Sequence, residues 1–259
     1  MPGTEPYEPD RGLGAKLHRR LVQWRYAAPV NIRPARPILT ISFDDAPTSS
    51  VRTAAPILDR HGVRACYYIA SSLIDTDTVM GRIAGRDDIR AAYNAGHEIG
   101  SHTHSHIDCA RTPASEVQND INRNLSELND ILKGAPVESF AFPFGETSFV
   151  VKSAIESQFS SLRGVLPGPN RGLCDRAQLR AFELDGSTTR LARLLRAMTL
   201  ATETPAWLIM FTHDVCDDHS GFGITPADLE TIISQAKALD FEIKTPAETV
   251  RYLNLGAHS

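Results

Sequence analysis

PILTISFDD, residues 37–45, is an apolar, β-branched run that stops at two adjacent carboxylates, Asp44 and Asp45. Read as a strand, it delivers both acids to its carboxyl end. The pattern repeats along the chain. Further strand candidates lie at 63–70, 97–101, 137–142, 160–165, 179–184, 206–212 and 240–244, with helical patterns between them at about 48–61, 87–95, 113–133, 147–158, 187–203 and 225–239. Thr225-Pro226 opens the last helix with a capping residue and a proline in the first turn. Alternation of this kind predicts an α/β fold on a parallel sheet, either doubly wound or closed into a barrel. The Pro- and Gly-rich stretch 166–172 reads as an irregular loop.

The polar residues gather where such a fold puts chemistry. Asp44-Asp45 end the first strand, His102, His104 and His106 follow the third, Pro143-Phe144-Gly145 follow the fourth, and His213-Asp214 end the seventh. In parallel α/β folds ligands bind at the carboxyl ends of the strands, so these four remote segments are expected to converge on one pocket.

Composition narrows the classes. The chain has 259 residues, 42% hydrophobic and 22% charged, which suits one globular core and excludes disorder, collagen and coiled coil. Its net charge of -4 provides no overall positive field for a nucleic-acid backbone. Cys66, Cys109, Cys174 and Cys216 form no CxxC pair, so they read as reduced, buried thiols. The first thirty residues contain no apolar run of signal-peptide length, and no stretch is long enough to span a bilayer. A cytoplasmic location is the expectation, with residues 1–36 as a leader segment flanking a domain at 37–259. Lys16, Arg19, Arg20 and Arg25 beside Leu17, Leu21, Val22 and Trp24 read as a leader helix on the domain, or as a basic amphipathic helix for a membrane or partner.

Adjacent carboxylates at a strand end suit two different jobs, one holding a metal and the other serving as general base; alternatively they cap the helix that starts near Thr48. GHEIGSHTHSH, residues 96–106, places three histidines within five positions. On a helical or tight-turn backbone His102 and His106 share a face, and on a strand all three histidines would. Two imidazoles and a carboxylate with an open position suit a catalytic zinc. His97 reads as a packed or hydrogen-bonded residue, and His213 alone would be weak evidence.

Taken together, ISFDD at 41–45, HTHSH at 102–106, FAFPFG at 140–145 and LIMFTH at 208–213 resemble, in order, the motifs of the polysaccharide deacetylases of the NodB-homology type, carbohydrate esterase family 4, in an FAYPYG-like subgroup. The resemblance covers roughly 37–250. It implies a distorted, incompletely closed (β/α)7 barrel. It implies Asp44 as general base, Asp45, His102 and His106 as metal ligands, His213 as general acid, and the Phe144 backbone N–H as oxyanion donor. The implied cofactor is a divalent metal, Zn2+ by default, with Co2+, Ni2+, Mn2+ or Fe2+ also suited to the ligands. The implied partner is an N-acetylated carbohydrate or another small amide, linear or cyclic; a metal-containing barrel that binds a glycan without turnover is the alternative.

Two departures stand out. Ala141 occupies the place of the arginine that orients the base in the family, with Phe142 following, and Arg163, Arg171 and Arg180 are the candidates to supply that charge from elsewhere. The acid that tunes the catalytic histidine has three candidates, Asp175, Asp185 and Asp214. Phe142, Phe144, Phe149, Phe211 and Phe222 are candidates for stacking on a sugar ring.

Overall fold

The computed structural model describes residues 21–255. Seven strands form one parallel sheet: β1 (Ile38–Asp44), β2 (Cys66–Ile69), β3 (Glu98–Ser101), β4 (Ser139–Ala141), β5 (Ser161–Arg163), β6 (Phe182–Glu183) and β7 (Trp207–Thr212), in spatial order β6-β7-β1-β2-β3-β4-β5. The two ends of this sheet are drawn together by one short segment. Leu179 bridges Arg163 on β5, its N–H donating to the Leu162 carbonyl at 2.8 Å, and three residues later β6 pairs with β7. The expected incompletely closed barrel is therefore present: the sheet curls, and its two end strands do not pair directly but are linked by this single bridge. The last strand candidate, Glu242–Ile243, pairs with the start of β1 outside the ring.

Period-two alternation divides the two sides of the sheet. Leu39, Ile41 and Phe43 of β1, Tyr67 and Ile69 of β2, Ile99 of β3, and Leu208 and Met210 of β7 face outward into the main apolar core. There they meet Ala54–Arg60, Arg86–Asn94, Ala114–Leu132, Thr188–Glu203 and Pro226–Ala238, the helices that cover the sheet. Each such buried side chain contributes about 1.5–3 kcal/mol. The inward positions are mostly polar: Thr40, Ser42 and Asp44 alternate along β1, and Arg163 occupies the last position of β5. Trp207 also faces in, its indole N–H donating to Thr40 Oγ1 at 2.9 Å. Gly100 must be glycine, because a Cβ there would lie 2.5 Å from the Tyr68 ring and 2.9 Å from Ser139 Oγ.

Several expected elements differ in detail. The helix expected at 48–61 divides at Thr53 into Thr48–Arg52 and Ala54–Arg60, and the one at 147–158 is helical only over Phe149–Ile155 before a 3-10 turn. The stretch after the expected loop forms a strand, Gly172–Asp175, antiparallel to Pro29–Ile32. This ribbon packs Val30, Ile32 and Cys174 against Ile38, Leu179 and Trp207. Strands Asp77–Thr78 and Gly81–Arg82 form a small hairpin, and Pro246–Tyr252 adds a helix with a Thr245–Glu248 capping box. Cys66 and Cys109 are buried as expected, whereas Cys174 and Cys216 are only half-buried because each lies in a surface loop or ribbon. Among the described residues no helix is long and apolar enough to cross a membrane. Residues 1–20 of the expected leader lie outside the described residues.

The remainder of the leader is fastened by a buried ion pair. Lys152 Nζ donates to Asp175 Oδ2 at 2.6 Å, to the Val22 carbonyl at 2.8 Å and to Gln178 Oε1 at 3.0 Å, while Asp175 accepts the N–H groups of Ala27, Ala28 and Ala177. Both side chains are fully buried. Lys152→Met strands this carboxylate and is expected to cost about 3–5 kcal/mol in urea unfolding; a loss below about 1 kcal/mol would show that the pair is not what holds residues 21–28.

Candidate active site

At the carboxyl end of β1 the backbone turns out of the strand. Asp45 and Ala46 take left-handed conformations, φ 58° and 50°, a conformation costly for residues with a Cβ. The turn breaks the alternation that would send adjacent acids to opposite faces, so Asp44 and Asp45 both sit buried in the barrel mouth. Neither caps the helix at Thr48, whose N-cap is Pro47 without a side-chain bond.

The His102–His106 segment is an irregular turn, neither helix nor strand, with Thr103 and His106 also left-handed at φ 62° and 51°. His102 Nε2 and His106 Nε2 lie 4.0 and 3.5 Å from Asp45 Oδ1. That oxygen is buried with no hydrogen-bond partner. A carboxylate oxygen stranded between two imidazole nitrogens fits a missing cation, and Asp45, His102 and His106 are the one such group of ligand atoms among the described residues. His102 Nδ1 lies 2.8 Å from the Ala141 carbonyl, which can only accept; Nδ1 therefore carries the proton and leaves the Nε2 lone pair toward Asp45. Burial above all holds the His102 imidazole down to about 4, although Asp44 and Asp45 pull the other way.

The middle histidine does a different job. His104 Nδ1 bonds Ser71 Oγ at 2.8 Å, and its carbonyl accepts from the Ser72 N–H. Asp120 Oδ1 accepts the N–H groups of His104 and Ser105 at 2.7 and 3.0 Å. Buried Asn124 ties the same corner together, donating to the Ile69 carbonyl and Ser101 Oγ and accepting from the Ser71 N–H. Asp120 and Asn124 stand four apart on Ala114–Leu132, a polar pair beside the apolar stripe of Val117, Ile121 and Leu128. That pairing is the sequence signal for a supporting role, and the motif reading passed over it. His97 accepts from the Ala65 N–H at 3.2 Å and packs on Tyr67, as expected.

Asp44 meets a different partner. Arg163 Nη2 donates to both of its oxygens, at 2.6 and 2.5 Å, with both side chains buried. Of the three arginine candidates, Arg163 is the one on Asp44; Arg180 bonds the Pro167 carbonyl and Arg171 is exposed. The reason is register: Arg163 on β5 is the pairing partner of Ala141 on β4, so the cation is supplied one strand over beside the alanine. Phe211 and Tyr68 lie 4.3 and 5.2 Å from the guanidinium. Burial by itself would raise the Asp44 pKa, but Arg163 first, then His102 and His213, hold it below the usual carboxylate value.

His213 lies at the opposite side of the mouth, its Nδ1 3.2 Å from the Phe222 carbonyl and its ring 5.7 Å from the Phe222 ring. None of the three expected tuning acids bonds it. Asp175 is spent on Lys152, Asp185 on Ser187 and Arg190, and Asp214 on the N–H and hydroxyl of Ser220. A carbonyl replaces the expected carboxylate. Phe144, left-handed at φ 57°, places its ring 4.6 Å from that of His106. The other aromatic candidates divide: Phe142 and Phe211 are buried and Phe149 lies under Arg25, leaving Phe144 and half-exposed Phe222 at the mouth.

The polysaccharide deacetylase family model matches residues 31–158, which hold Asp44, Asp45, His102, His106 and Phe144. Over these residues, just under half of its length, the chain is similar to the polysaccharide deacetylase family. A chitin deacetylase from Pestalotiopsis sp. is 28% identical over 100 residues, 37% of this chain and 30% of that protein. The chain spans less than a third of the length of the curated relatives it matches. Among solved structures, a family 4 acetyl xylan esterase from Clostridium thermocellum in complex with a cobalt ion superposes with TM-score 0.60 at 21% identity, over 83% of this chain and 91% of that one. A family 4 pseudoenzyme from Bacillus anthracis gives 0.59 at 15% identity, over 85% and 69%. These likenesses establish the fold of this chain.

Metal loading tests the stranded oxygen directly. After incubation with zinc and desalting, wild type and Asp44→Asn are expected to retain about one ion per chain by elemental analysis, and Asp45→Ala and His102→Ala to retain far less. Full retention by Asp45→Ala would remove this site.

Proposed function

We propose that the protein is a metal-dependent hydrolase that cleaves a carbon–nitrogen amide bond, releasing acetate from an N-acetylated sugar or glycan. The observation that carries this reading is the separation of the two adjacent acids: Asp44 is held ionised by Arg163, whereas Asp45 Oδ1 is left without a hydrogen bond between two histidines. One is prepared as a base and the other as a ligand. The names of the relatives, a chitin deacetylase and a peptidoglycan N-acetylglucosamine deacetylase among them, support the sugar amide over a non-sugar one.

Asp45, His102 and His106 are the residues that would hold the cation, with zinc as the default for two imidazoles and a carboxylate. When bound, it would polarise the amide carbonyl and make water a better nucleophile at neutral pH. Asp44 takes the proton of the attacking water; each of its oxygens accepts one bond from Arg163 and keeps a lone pair for this purpose. The Phe144 N–H donates to the oxygen that becomes negative, a bond typically worth about 3 kcal/mol. His213 gives a proton to the amine as the carbon–nitrogen bond breaks, and its link to the Phe222 carbonyl orients the ring for that transfer. Acetate and the free amine are the products.

Acetate release from N-acetylglucosamine oligomers is expected to stop on chelation, return with added zinc, and be lost in Asp44→Asn; activity unchanged in that variant would overturn the assignment of the base. Arg163→Met leaves burial as the dominant influence on Asp44, so its pKa rises. The acid limb of kcat/KM should then move to higher pH, with a loss of roughly 10²-fold near neutrality from lost orientation, and Arg163→Lys should fall between. A limb that does not move would show that Arg163 does not control Asp44.

A further inference from the structure

The site described above leaves one well-built feature unused: the helical turn at residues 21–24 and the segment that follows it. Its inner side is fixed by the Lys152 and Asp175 bonds and by Gln23 Nε2, which donates to the Gln178 carbonyl at 3.3 Å. Val22 and Gln23 are buried, while Leu21 and Trp24, three apart on the other side of the turn, are 48% and 74% exposed. The Tyr26 hydroxyl bonds the carbonyl of Leu173, itself 65% exposed. Arg25 lies 4.2 Å over the Phe149 ring, next to Val150, 67% exposed. Five of the ten exposed large apolar side chains among the described residues thus gather around one arginine. A solvated leader has no need of a fully buried ion pair to display tryptophan and leucine to water.

Charge identifies the occupant. Between Asp10 and Asp44 the sequence contains seven lysines and arginines and no acid, in a chain whose net charge is -4. Asp175, the carboxylate that accepts the Ala27 and Ala28 N–H groups, is buried and matched by Lys152. We infer that this face docks on the surface of an anionic lipid bilayer, with Trp24 and Leu21 entering the interface and Arg25 meeting headgroup phosphates. Tryptophan and tyrosine favour the bilayer interface, and a basic cluster adds attraction to anionic lipid, two signals that hold a protein where either alone is marginal. A second copy of the chain is a poorer occupant, because a twofold contact would set the same cations against each other.

The full chain carries only Trp24 and Trp207, and Trp207 is fully buried, so a change in emission on adding vesicles reports Trp24. With phosphatidylglycerol–phosphatidylcholine vesicles the emission is expected to shift to the blue and the protein to co-sediment, less so at high salt, while pure phosphatidylcholine gives little of either. The double variant Leu21→Ser, Trp24→Ser should bind the anionic vesicles at least about tenfold more weakly and leave acetate release from a soluble substrate unchanged. Wild type that stays in the supernatant, a double variant that sediments like wild type, or equal binding to neutral vesicles would each overturn the proposal. A dimer dispersed by the same substitutions without vesicle binding would assign the face to a second copy instead.

Discussion

Two neighbouring carboxylates buried in one barrel mouth each need a partner of their own. Coulomb repulsion between adjacent acids raises the pKa of one unless it is offset, and burial works in the same direction. Here each acid has its own solution. Asp44 receives a guanidinium from the far side of the sheet, and Asp45 is turned by two left-handed residues toward a pair of imidazoles. Much of the interior is arranged around this need. Gly100 yields its space to the Tyr68 ring, which lies with Phe211 against the guanidinium.

The arrangement stores strain where the chemistry is expected. Asp45, Ala46, Thr103, His106 and Phe144 all have positive φ, each at a cost of order 1–3 kcal/mol. The rest of the fold offsets that cost. The outward faces of β1, β2 and β7 bury continuous apolar rows under helices, and the corner behind the histidine turn is pinned by Asp120 and Asn124 rather than by packing alone. Positioning polar groups to within a fraction of an ångström requires this kind of support.

Local signals carried much of this into the sequence. Strand β1 was readable because its apolar run ends abruptly in acids, and the histidine turn because three imidazoles in five residues have no packing rationale. Arg163 was readable only as one of three candidates, since the choice depends on which residue of β5 lies beside Ala141 in the register, and register is a property of the assembled sheet. The same limit applies to His213: an acid was expected beside it, but its partner is a backbone carbonyl nine residues on, which no side-chain pattern announces. Helix division at Thr53 and the strand at Gly172–Asp175 likewise follow from tertiary packing, which overrides weak local preference.

Fold alone does not decide what such a barrel does. Solved structures of this fold include an acetyl xylan esterase and a pseudoenzyme, which superpose on this chain at TM-scores of 0.60 and 0.59, so the scaffold is compatible with turnover and without it. What separates the outcomes is whether charge is prepared for a reaction. A barrel that only bound a glycan would gain nothing from a buried carboxylate oxygen left without a hydrogen bond, whose desolvation is costly until a cation arrives. Nor would it need a second carboxylate kept ionised one residue away. Arg163 stands on β5 beside Ala141 of β4 and still reaches both oxygens of Asp44, so the register lets a neighbouring strand supply the cation that this carboxylate needs.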